Sequence, residues 1–485
     1  MTFYSYPFTG IILTGMILAC FSFGHGQDLR FTISPETTYF TEPRTEGGRV
    51  DYAKIINEYQ SRGVQVDDNA VVLLYQASGR IKQNDAFYEA LGVTGFIEPD
   101  QILQDLNVDF AGDLSNAIEN PWTAQDHPEL LQWLENNDKA MDLIFAASLK
   151  NGYYSPYVVG KNEPLMNVNL PGVQEARVFA MVFTCRAMLR LGQGNTTAAW
   201  NDLMVVHRLG RLVARGPSII ERLAGISIER LAITSELKLI SAYANSSKLT
   251  LYRFELERLA QRVPLIDSIN LGARLISLDM LTILAAEKFS FERYFDLMGG
   301  APQLPEETMR YIDANLNWDD ILRLNNLHYS AILEKLSKPS FSEQSKKINI
   351  PSKYTPEESG AIIRDIEQLR KLSKAELTDL VAPWFVASLA GSQETIVGSQ
   401  FAVEQTSQNL LVAFALTEWL RKNGSYPDSL DLLTPEYLIN KPLDLFTGEP
   451  LAYKRTEQGC RFYSVGPNSA EDRDDIVVEL GLGQK

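Results

Sequence analysis

The fold of this chain is decided by residues 174–243, which read QEARVFAMVFTCRAMLRLGQGNTTAAWNDLMVVHRLGRLVARGPSIIERLAGISIERLAITSELKLISAY. Two breaks, Gly192-Gln193-Gly194 and Gly216-Pro217, divide this stretch into three segments whose apolar residues recur at helical spacing. Asn195 stands where it can cap the second segment. Because the connections are so short, the three helices are expected to pack as antiparallel neighbours.

Helical patterns continue on both sides of this stretch. The alternation typical of strands is scarce between residues 51 and 400, so this region is predicted to be an all-helical domain. One helix is expected to run without a break over His127–Lys150. Another is expected over Leu377–Leu389, interrupted at Pro383 because proline has no backbone N–H to donate.

The pattern changes at the C-terminal end. Val403–Lys422 is predicted to be a helix that stops at Asn423-Gly424. Residues 401–485 are expected to place this helix on a small antiparallel sheet. Short alternating segments predict its strands at Leu451–Arg455, Cys460–Val465 and Ile476–Leu480. The predicted fold class is therefore mainly α, built of helical hairpins or a bundle, with a small C-terminal α+β module.

The N-terminal residues 1–26 are predicted to be a signal peptide or a membrane anchor. They contain no Lys, Arg, Asp or Glu, and their apolar core Ile11–Phe21 has the length of a signal-peptide h-region. Three interpretations are open, namely cleavage before Gln27, retention as an anchor, and lipidation of Cys20. Each predicts an exported protein, periplasmic or otherwise extracytoplasmic, or membrane-anchored. Residues 27–50, rich in turn-forming residues, are predicted to be a linker.

The charge balance excludes some partners. The chain carries 45 Lys plus Arg against 61 Asp plus Glu, a formal charge of −16. A field of this sign repels a phosphate backbone, so no nucleic-acid partner is expected. It also disfavours electrostatic attraction to anionic lipid, so membrane contact is expected only through the N-terminal segment. The identity of a protein partner is not indicated.

Cysteine and histidine are rare in this chain, with three cysteines and four histidines. Apart from Cys20, the cysteines are Cys185 and Cys460, and their spacing leaves open whether they form a disulfide. No two histidines stand at i, i+4, and there is no Cys-x-x-Cys, which disfavours a zinc site.

Three C-terminal motifs resemble those of a known family. They are Gly424-Ser425-Tyr426-Pro427, Pro442–Pro450, and Tyr463–Asn468 followed by Asp474-Asp475-Ile476. Together they resemble the C-terminal domain of the major pseudopilin of type II secretion, over about residues 403–480. The resemblance implies the same small helix-and-sheet fold. In that family the helix is continuous with a polymerising membrane helix. Here most of the chain separates the two, so fibre assembly through this helix is not expected.

The same resemblance implies a calcium site. In the pseudopilin family the last loop binds calcium through aspartates and backbone carbonyls. The corresponding residues here are Asn468, Asp472, Asp474 and Asp475, with Asn468 in place of the family's first aspartate. An asparagine carbonyl oxygen can ligate calcium. Calcium is therefore the only cofactor that the sequence brings into question, and an acidic surface turn without metal is the alternative.

The whole chain also resembles a group of uncharacterised exported bacterial proteins. The segments that carry this likeness run from Arg186–Leu191 to Arg215-Gly216-Pro217. No known activity is implied by it.

No motif in the sequence indicates a reaction. The phosphate-binding, dinucleotide-binding, serine-elbow and His-Glu-x-x-His patterns are all absent. The acidic pairs Glu306-Glu307 and Asp319-Asp320 are better explained as first-turn residues of helices, and His207 as a solvated or capping residue. The predicted function is a non-enzymatic interaction or scaffold protein of the cell envelope. The alternatives are an exported hydrolase whose site is assembled from distant residues, and an accessory component of a secretion or pilus-like system.

Overall fold

The computed structural model describes residues 29–79, 85–93, 108–160, 163–286, 294, 304–468 and 475–481. Within these residues the chain is mainly helical and has a small antiparallel sheet near its C-terminal end. The predicted fold class is therefore confirmed.

The helices follow one another along the whole described chain. In order they are α1 (Tyr52–Gln60), α2 (Ala70–Ser78), α3 (Asp85–Leu91), α4 (Val108–Ala117), α5 (Pro128–Asn136), α6 (Asp138–Ser148), α7 (Pro171–Gly192), α8 (Thr196–Val213), α9 (Ile219–Ala242), α10 (Leu249–Glu257), α11 (Leu265–Ala286), α12 (Glu306–Asn315), α13 (Trp318–Leu336), α14 (Phe341–Gln344), α15 (Pro356–Ile363), α16 (Ile366–Leu369), α17 (Lys374–Ala390) and α18 (Gln393–Asn423). The strands are β1 (Ala452–Arg455), β2 (Gly459–Ser464) and β3 (Ile476–Gly481).

The centre of the fold is the predicted set of three helices, α7 to α9. The Asn195 side chain accepts a hydrogen bond from the Ala198 backbone N–H at 3.2 Å and so caps α8 as expected. Ser218 and Glu221 cap α9 reciprocally, each side chain accepting from the other residue's backbone N–H. The largest side chains of the three helices, such as Trp200, are fully buried, because each helix lies against the other two.

Helices α8 and α9 approach each other backbone to backbone at Gly210 and Gly225. A Cβ atom at position 225 would lie only 2.3 Å from the carbonyl oxygen of Gly210. A Cβ atom at position 210 would lie 2.8 Å from the carbonyl oxygen of Gly225. The absence of side chains here lets Arg211 and Glu229, which flank the contact, meet at 3.2 Å.

The prediction of one helix over His127–Lys150 is wrong, because the chain forms α5 and α6 with a break at Asn137. The Asn137 side-chain amide donates to the carbonyl oxygen of Trp133 at 2.7 Å, and this oxygen also accepts from the backbone N–H of Asn137 at 3.2 Å. A short polar side chain that bonds to its own backbone in this way disrupts a helix interior.

The prediction of a helix interrupted at Pro383 is also wrong, since α17 continues through this residue. Proline leaves the carbonyl oxygen of Asp379, four residues earlier, without its helical donor. The hydroxyl of Ser352 supplies a substitute donor at 3.2 Å. A hydrogen bond from outside the helix therefore makes the proline tolerable.

A second hydrophobic core joins α11, α13 and α17. Leu278, Trp318 and Phe385 are buried in it. The irregular segment that precedes α1 packs against the same layer. Phe31 is buried, and Arg30 donates to the carbonyl oxygens of Leu284 and Ala285 at the end of α11. The described part of the expected linker is thus fastened to the helical domain.

One described helix, α11, is long and apolar enough to cross a membrane by length and composition. Its most apolar window is 72% buried inside the protein, and its residues form part of the second core. This burial explains the apolar composition of α11 by packing alone.

The C-terminal module consists of α18 and a three-stranded antiparallel sheet in the order β1-β2-β3. On one side of α18, Glu418 accepts a hydrogen bond from Arg253 of α10 at 2.7 Å. On the other side, Asn409 donates to the carbonyl oxygen of Ile476 at 3.2 Å. Helix α18 therefore lies between the helical domain and the sheet, and one hydrophobic core runs through all three.

The Pro442–Pro450 turn is held in place by Asp444. The buried carboxylate of this residue accepts hydrogen bonds from the backbone N–H groups of Phe446 at 2.9 Å and Val465 at 2.8 Å. These bonds connect the turn to the end of β2. The aspartate of this motif thus has a structural role in the module.

Candidate functional site: an arginine-lined cavity

Helix α8 carries a polar stripe on one face. The helix places Asn201, Met204, Arg208 and Arg211 on one side, at spacings of three and four residues, and Arg215 in the turn after α8 continues this row. The opposite face of α8 is packed in the core. The stripe therefore presents three guanidinium groups at the edge of the helical bundle.

A cavity of about 550 Å³ lies over this stripe. The C-terminal end of α6 forms one wall, and the C-terminal end of α10 with the residues after it forms another. The described lining consists of Phe145, Ser148, Leu149, Lys150, Asn151, Asn201, Met204, Arg208, Arg211, Leu212, Arg215, Glu255, Arg258, Leu259 and Ala260. Five of these side chains are cationic and only one is a carboxylate, so the cavity is strongly positive although the whole chain carries a charge of −16.

Some of these cations are held by backbone oxygens. Arg215 donates to the carbonyl oxygen of Asn151, and Arg211 donates to that of Ala260. Lys150 Nζ donates to the carbonyl oxygen of Asp67 at 2.6 Å. Neutral acceptors fix the position of a cation without cancelling its charge, so Lys150 and Arg215 remain attractive to an anion, whereas Arg211 is also paired with the carboxylate of Glu229.

Two arginines of the lining have no partner among the described residues. Within the described part of the chain, the side chains of Arg208 and Arg258 make no hydrogen bond and no ion pair. Arg208 is half-buried, and this burial lowers the pKa of its guanidinium, which the carboxylate of Glu255 partly opposes. A guanidinium offers five N–H donors in a planar fork that matches a phosphate or a carboxylate. An anion bound here would give both side chains their missing acceptors.

A buried charge network supports the cavity from behind. His207 Nε2 lies 2.9 Å from Glu236 Oε2, and all three side chains of His207, Glu236 and Glu229 are almost completely buried. Glu229 accepts hydrogen bonds from Arg211 at 3.2 Å and from Arg262 at 2.6 Å. Arg211 thus connects the network to the cavity wall. The prediction of a solvated or capping His207 is wrong, because α9 places two carboxylates around it.

The network perturbs the protonation of its members. Burial disfavours the charged form of His207, but Glu236 and Glu229 outweigh it and raise the pKa of the imidazole to about 9. Burial also acts on Glu229, and there His207, Arg262 and Arg211 prevail and lower the pKa to about 2. At neutral pH the network therefore contains the imidazolium of His207, two guanidinium groups and the carboxylate of Glu229.

This network predicts a loss of stability in mildly alkaline solution. Because the pKa of His207 is raised in the folded state, its contribution is complete below about pH 6.5 and disappears as the pH rises through about 9. The expected decrease in the free energy of unfolding over this interval is about 2–3 kcal/mol. Urea unfolding of the full chain at a series of pH values measures it. The His207→Gln variant is expected to lack this decrease, and an equal decrease in both proteins would exclude His207 as its source.

The predicted calcium ligands lie only partly within the described residues. Asn468 is exposed in the turn after β2, and Asp475 directly precedes β3. Asp472 and Asp474 lie outside the described residues. Among the residues that the structure describes, no group of three or more His, Cys, Asp or Glu side chains is arranged to hold a metal ion. The calcium site remains a prediction.

The acidic pairs considered in the sequence belong to surface ion pairs. Glu306 pairs with Arg310, and Glu307 with Arg370. Asp320 pairs with Arg323 at 2.9 Å. All of these pairs begin at the first turn of α12 or α13, in agreement with their interpretation as helix-start residues.

The two described cysteines are unpaired and buried in different parts of the core. Cys185 lies on α7 and Cys460 on β2. Burial raises the pKa of each thiol to about 12, so both remain protonated at neutral pH. A protonated, buried thiol is a poor nucleophile, and neither cysteine is a candidate for catalysis.

No family model, no curated protein and no solved structure matches this chain.

Proposed function

We propose that this protein is an exported, non-enzymatic binding protein of the cell envelope that holds an anionic small molecule in the arginine-lined cavity. The observation that carries this proposal is that the guanidinium groups of Arg208 and Arg258, which have no hydrogen-bond or ion-pair partner among the described residues, line a cavity whose described walls carry five cationic side chains. Export is inferred from the uncharged apolar N-terminal segment, and the protein is proposed to be periplasmic or held at the membrane by that segment.

The lining indicates what kind of anion fits. Phe145, Leu149 and Leu259 provide apolar surface beside the arginines. A ligand with a phosphate or carboxylate group and a small apolar part would use both kinds of surface. The volume of about 550 Å³ falls within the range of small-molecule sites. We therefore propose a phosphorylated small molecule, since guanidinium groups from two sides can surround a multiply charged phosphate.

The chemistry of the lining favours binding over catalysis. Its donors are guanidinium, ammonium and amide groups, which orient an anion without taking a proton from it. Glu255 is the only carboxylate in the described lining, and its oxygen accepts a hydrogen bond from the indole of Trp200. No activated nucleophile faces it within the described lining. For these reasons ligand binding is favoured over hydrolysis.

An accessory role in a secretion system is also less well supported than ligand binding. That role would use the C-terminal module as a docking or polymerising element. Helix α18 is covered by α9 and α10 on one side and by the sheet on the other. A helix enclosed in this way has little surface left for a second copy.

Replacement of Arg208 and Arg258 tests the proposal. In calorimetric titrations of the full chain with pyrophosphate and with phenyl phosphate, Arg258→Glu is expected to weaken binding about tenfold to a hundredfold. Arg208→Met, which keeps the apolar stem and removes the charge, is expected to act in the same direction. Binding should also weaken with added salt.

The matched control is Arg230→Glu. Arg230 is an exposed arginine of α9 that does not line the cavity, and its replacement changes the net charge by the same amount. Its affinity for both ligands is expected to stay within about twofold of the parent. Equal weakening by Arg230→Glu and Arg258→Glu would overturn the proposed site. Turnover of phenyl phosphate that depends on Glu255 would favour the hydrolase alternative instead.

A further inference from the structure

A second cavity, remote in sequence from the first, has a different chemical character. It encloses about 960 Å³ between the loop 345–356, helix α15, helix α17 and the turn that leads into α18. Its described walls include six large apolar side chains, Ile348, Ile350, Ile363, Leu380, Pro383 and Trp384. None of the arginine-lined cavity's residues belongs to it.

The loop 345–356 and helix α15 form the cover of this cavity, and they are incompletely buried. Helix α15 has no buried residue, although it carries Ile362 and Ile363. Ile348 and Ile350 in the adjoining loop are also only half-buried. Trp384, on the opposite wall, is 39% exposed. Apolar side chains on both walls thus lack the close packing that a protein interior normally provides.

Hydrogen bonds join the loop that covers the cavity to α17, the helix of the opposite wall. The Ser352 hydroxyl and the Lys353 backbone N–H both donate to Asp379 of α17, at 3.2 and 3.0 Å. Thr355 and Glu358 cap α15 reciprocally. These bonds fix where the loop ends and where the helix begins. An apolar ligand would fill the space that they leave between the walls.

The rim of the cavity is positively charged. Lys346, Lys347 and Arg364 line it together with one carboxylate, Glu394. The side chains of the three cations form no hydrogen bond or ion pair with any described residue. Among the described lining residues, burial lowers the pKa of His328, so its imidazole is neutral at neutral pH.

We propose that this second cavity binds a free long-chain fatty acid, with the hydrocarbon chain between α15 and α17 and the carboxylate at Lys346, Lys347 and Arg364. The apolar walls match the chain, and the rim cations, which form no ion pair with a described residue, match the acidic head. A neutral alcohol of the same length would use only the walls. The fatty acid is distinguished from such an alcohol by the rim alone.

Displacement of a fluorescent dansyl-labelled undecanoic acid from the full chain tests this proposal, with palmitate and hexadecanol as competitors. The double variant Lys346→Glu/Lys347→Glu is expected to weaken palmitate about tenfold and to leave hexadecanol unchanged. The control Lys371→Glu/Lys374→Glu changes the charge equally at exposed lysines outside the lining, and is expected to bind both like the parent.

A space-filling variant tests the position of the chain. Gly360 lies in α15 and lines the cavity, and a Cβ atom there would meet only Arg364 at 3.7 Å. Gly360→Trp is therefore expected to fold normally and to weaken palmitate and hexadecanol alike. The proposal is overturned if palmitate does not displace the label, if hexadecanol competes as well as palmitate, or if neither variant changes the displacement. Arg258→Glu should leave palmitate binding unchanged, which separates this site from the proposed anion site.

Discussion

The Glu229→Gln variant is expected to lose about 3 kcal/mol of the free energy of unfolding, as when one partner of a buried ion pair is removed. Glu229 is 1% exposed and accepts hydrogen bonds from Arg211 and Arg262. A glutamine has nearly the same volume but no charge. Two guanidinium groups and the imidazolium of His207 would then share the single remaining carboxylate of Glu236. Urea unfolding of the full chain at pH 7 measures the loss.

A matched control for this variant is Glu334→Gln. Glu334 is 77% exposed and lies 3.8 Å from Lys338, which stands just after the end of α13. Its replacement makes the same chemical change in water and is expected to alter the free energy of unfolding by no more than about 0.5 kcal/mol. If the two variants were equally stable, the buried network would not stabilise the packing of α8 on α9.

The Gly225→Ala variant is expected to destabilise the protein by about 3 kcal/mol, at the upper end of the cost of overpacking. The added methyl group would lie 2.3 Å from the carbonyl oxygen of Gly210 and 2.7 Å from Cβ of Ala214. Neither obstacle is the flexible end of a side chain, so α8 and α9 must move apart. This movement would also separate Arg211 from Glu229, and we expect weaker binding of phenyl phosphate in the cavity.

The control for this second variant is Gly398→Ala. Gly398 lies within α18, and a Cβ atom there would have no neighbour within 4 Å. Alanine is the better helix former, so this variant is expected to be more stable than the parent by up to about 1 kcal/mol. A loss of stability of the same size in both variants would mean that the close approach at Gly210 and Gly225 is not what limits residue 225. Thermal unfolding followed by circular dichroism compares the two directly.

Local signals in the sequence were sufficient for most of the helices and strands. The breaks at Gly192-Gln193-Gly194 and Gly216-Pro217 and the cap at Asn195 placed α7 to α9, because helix ends depend on residues next to them in sequence. The exceptions at Asn137 and Pro383 have a common reason. Each depends on a hydrogen bond made by one side chain, and for Pro383 the donor is thirty-one residues away at Ser352. Periodicity contains no information about such bonds.

The candidate site was only partly accessible from the sequence. Arg208, Arg211 and Arg215 stand at the spacing of one helix face, and this stripe could have indicated a positive surface. Lys150 and Arg258 complete the cavity from positions just after the ends of α6 and α10, and no spacing rule connects them to α8. The same holds for His207 and Glu236, whose contact depends on how closely α8 and α9 approach. The net charge of −16 does not reveal a positively charged cavity, because it is a sum over the whole chain.

The most direct test of the proposed anion site is to locate a bound anion in a crystal. Crystals of the protein would be soaked in tungstate, a tetrahedral oxyanion with strong anomalous scattering and the shape of a phosphate group. If the proposed site is correct, an anomalous peak is expected in the arginine-lined cavity, with oxygen atoms about 3 Å from the guanidinium nitrogens of Arg208 and Arg258. Peaks at other places on the surface, with none in this cavity, would contradict it.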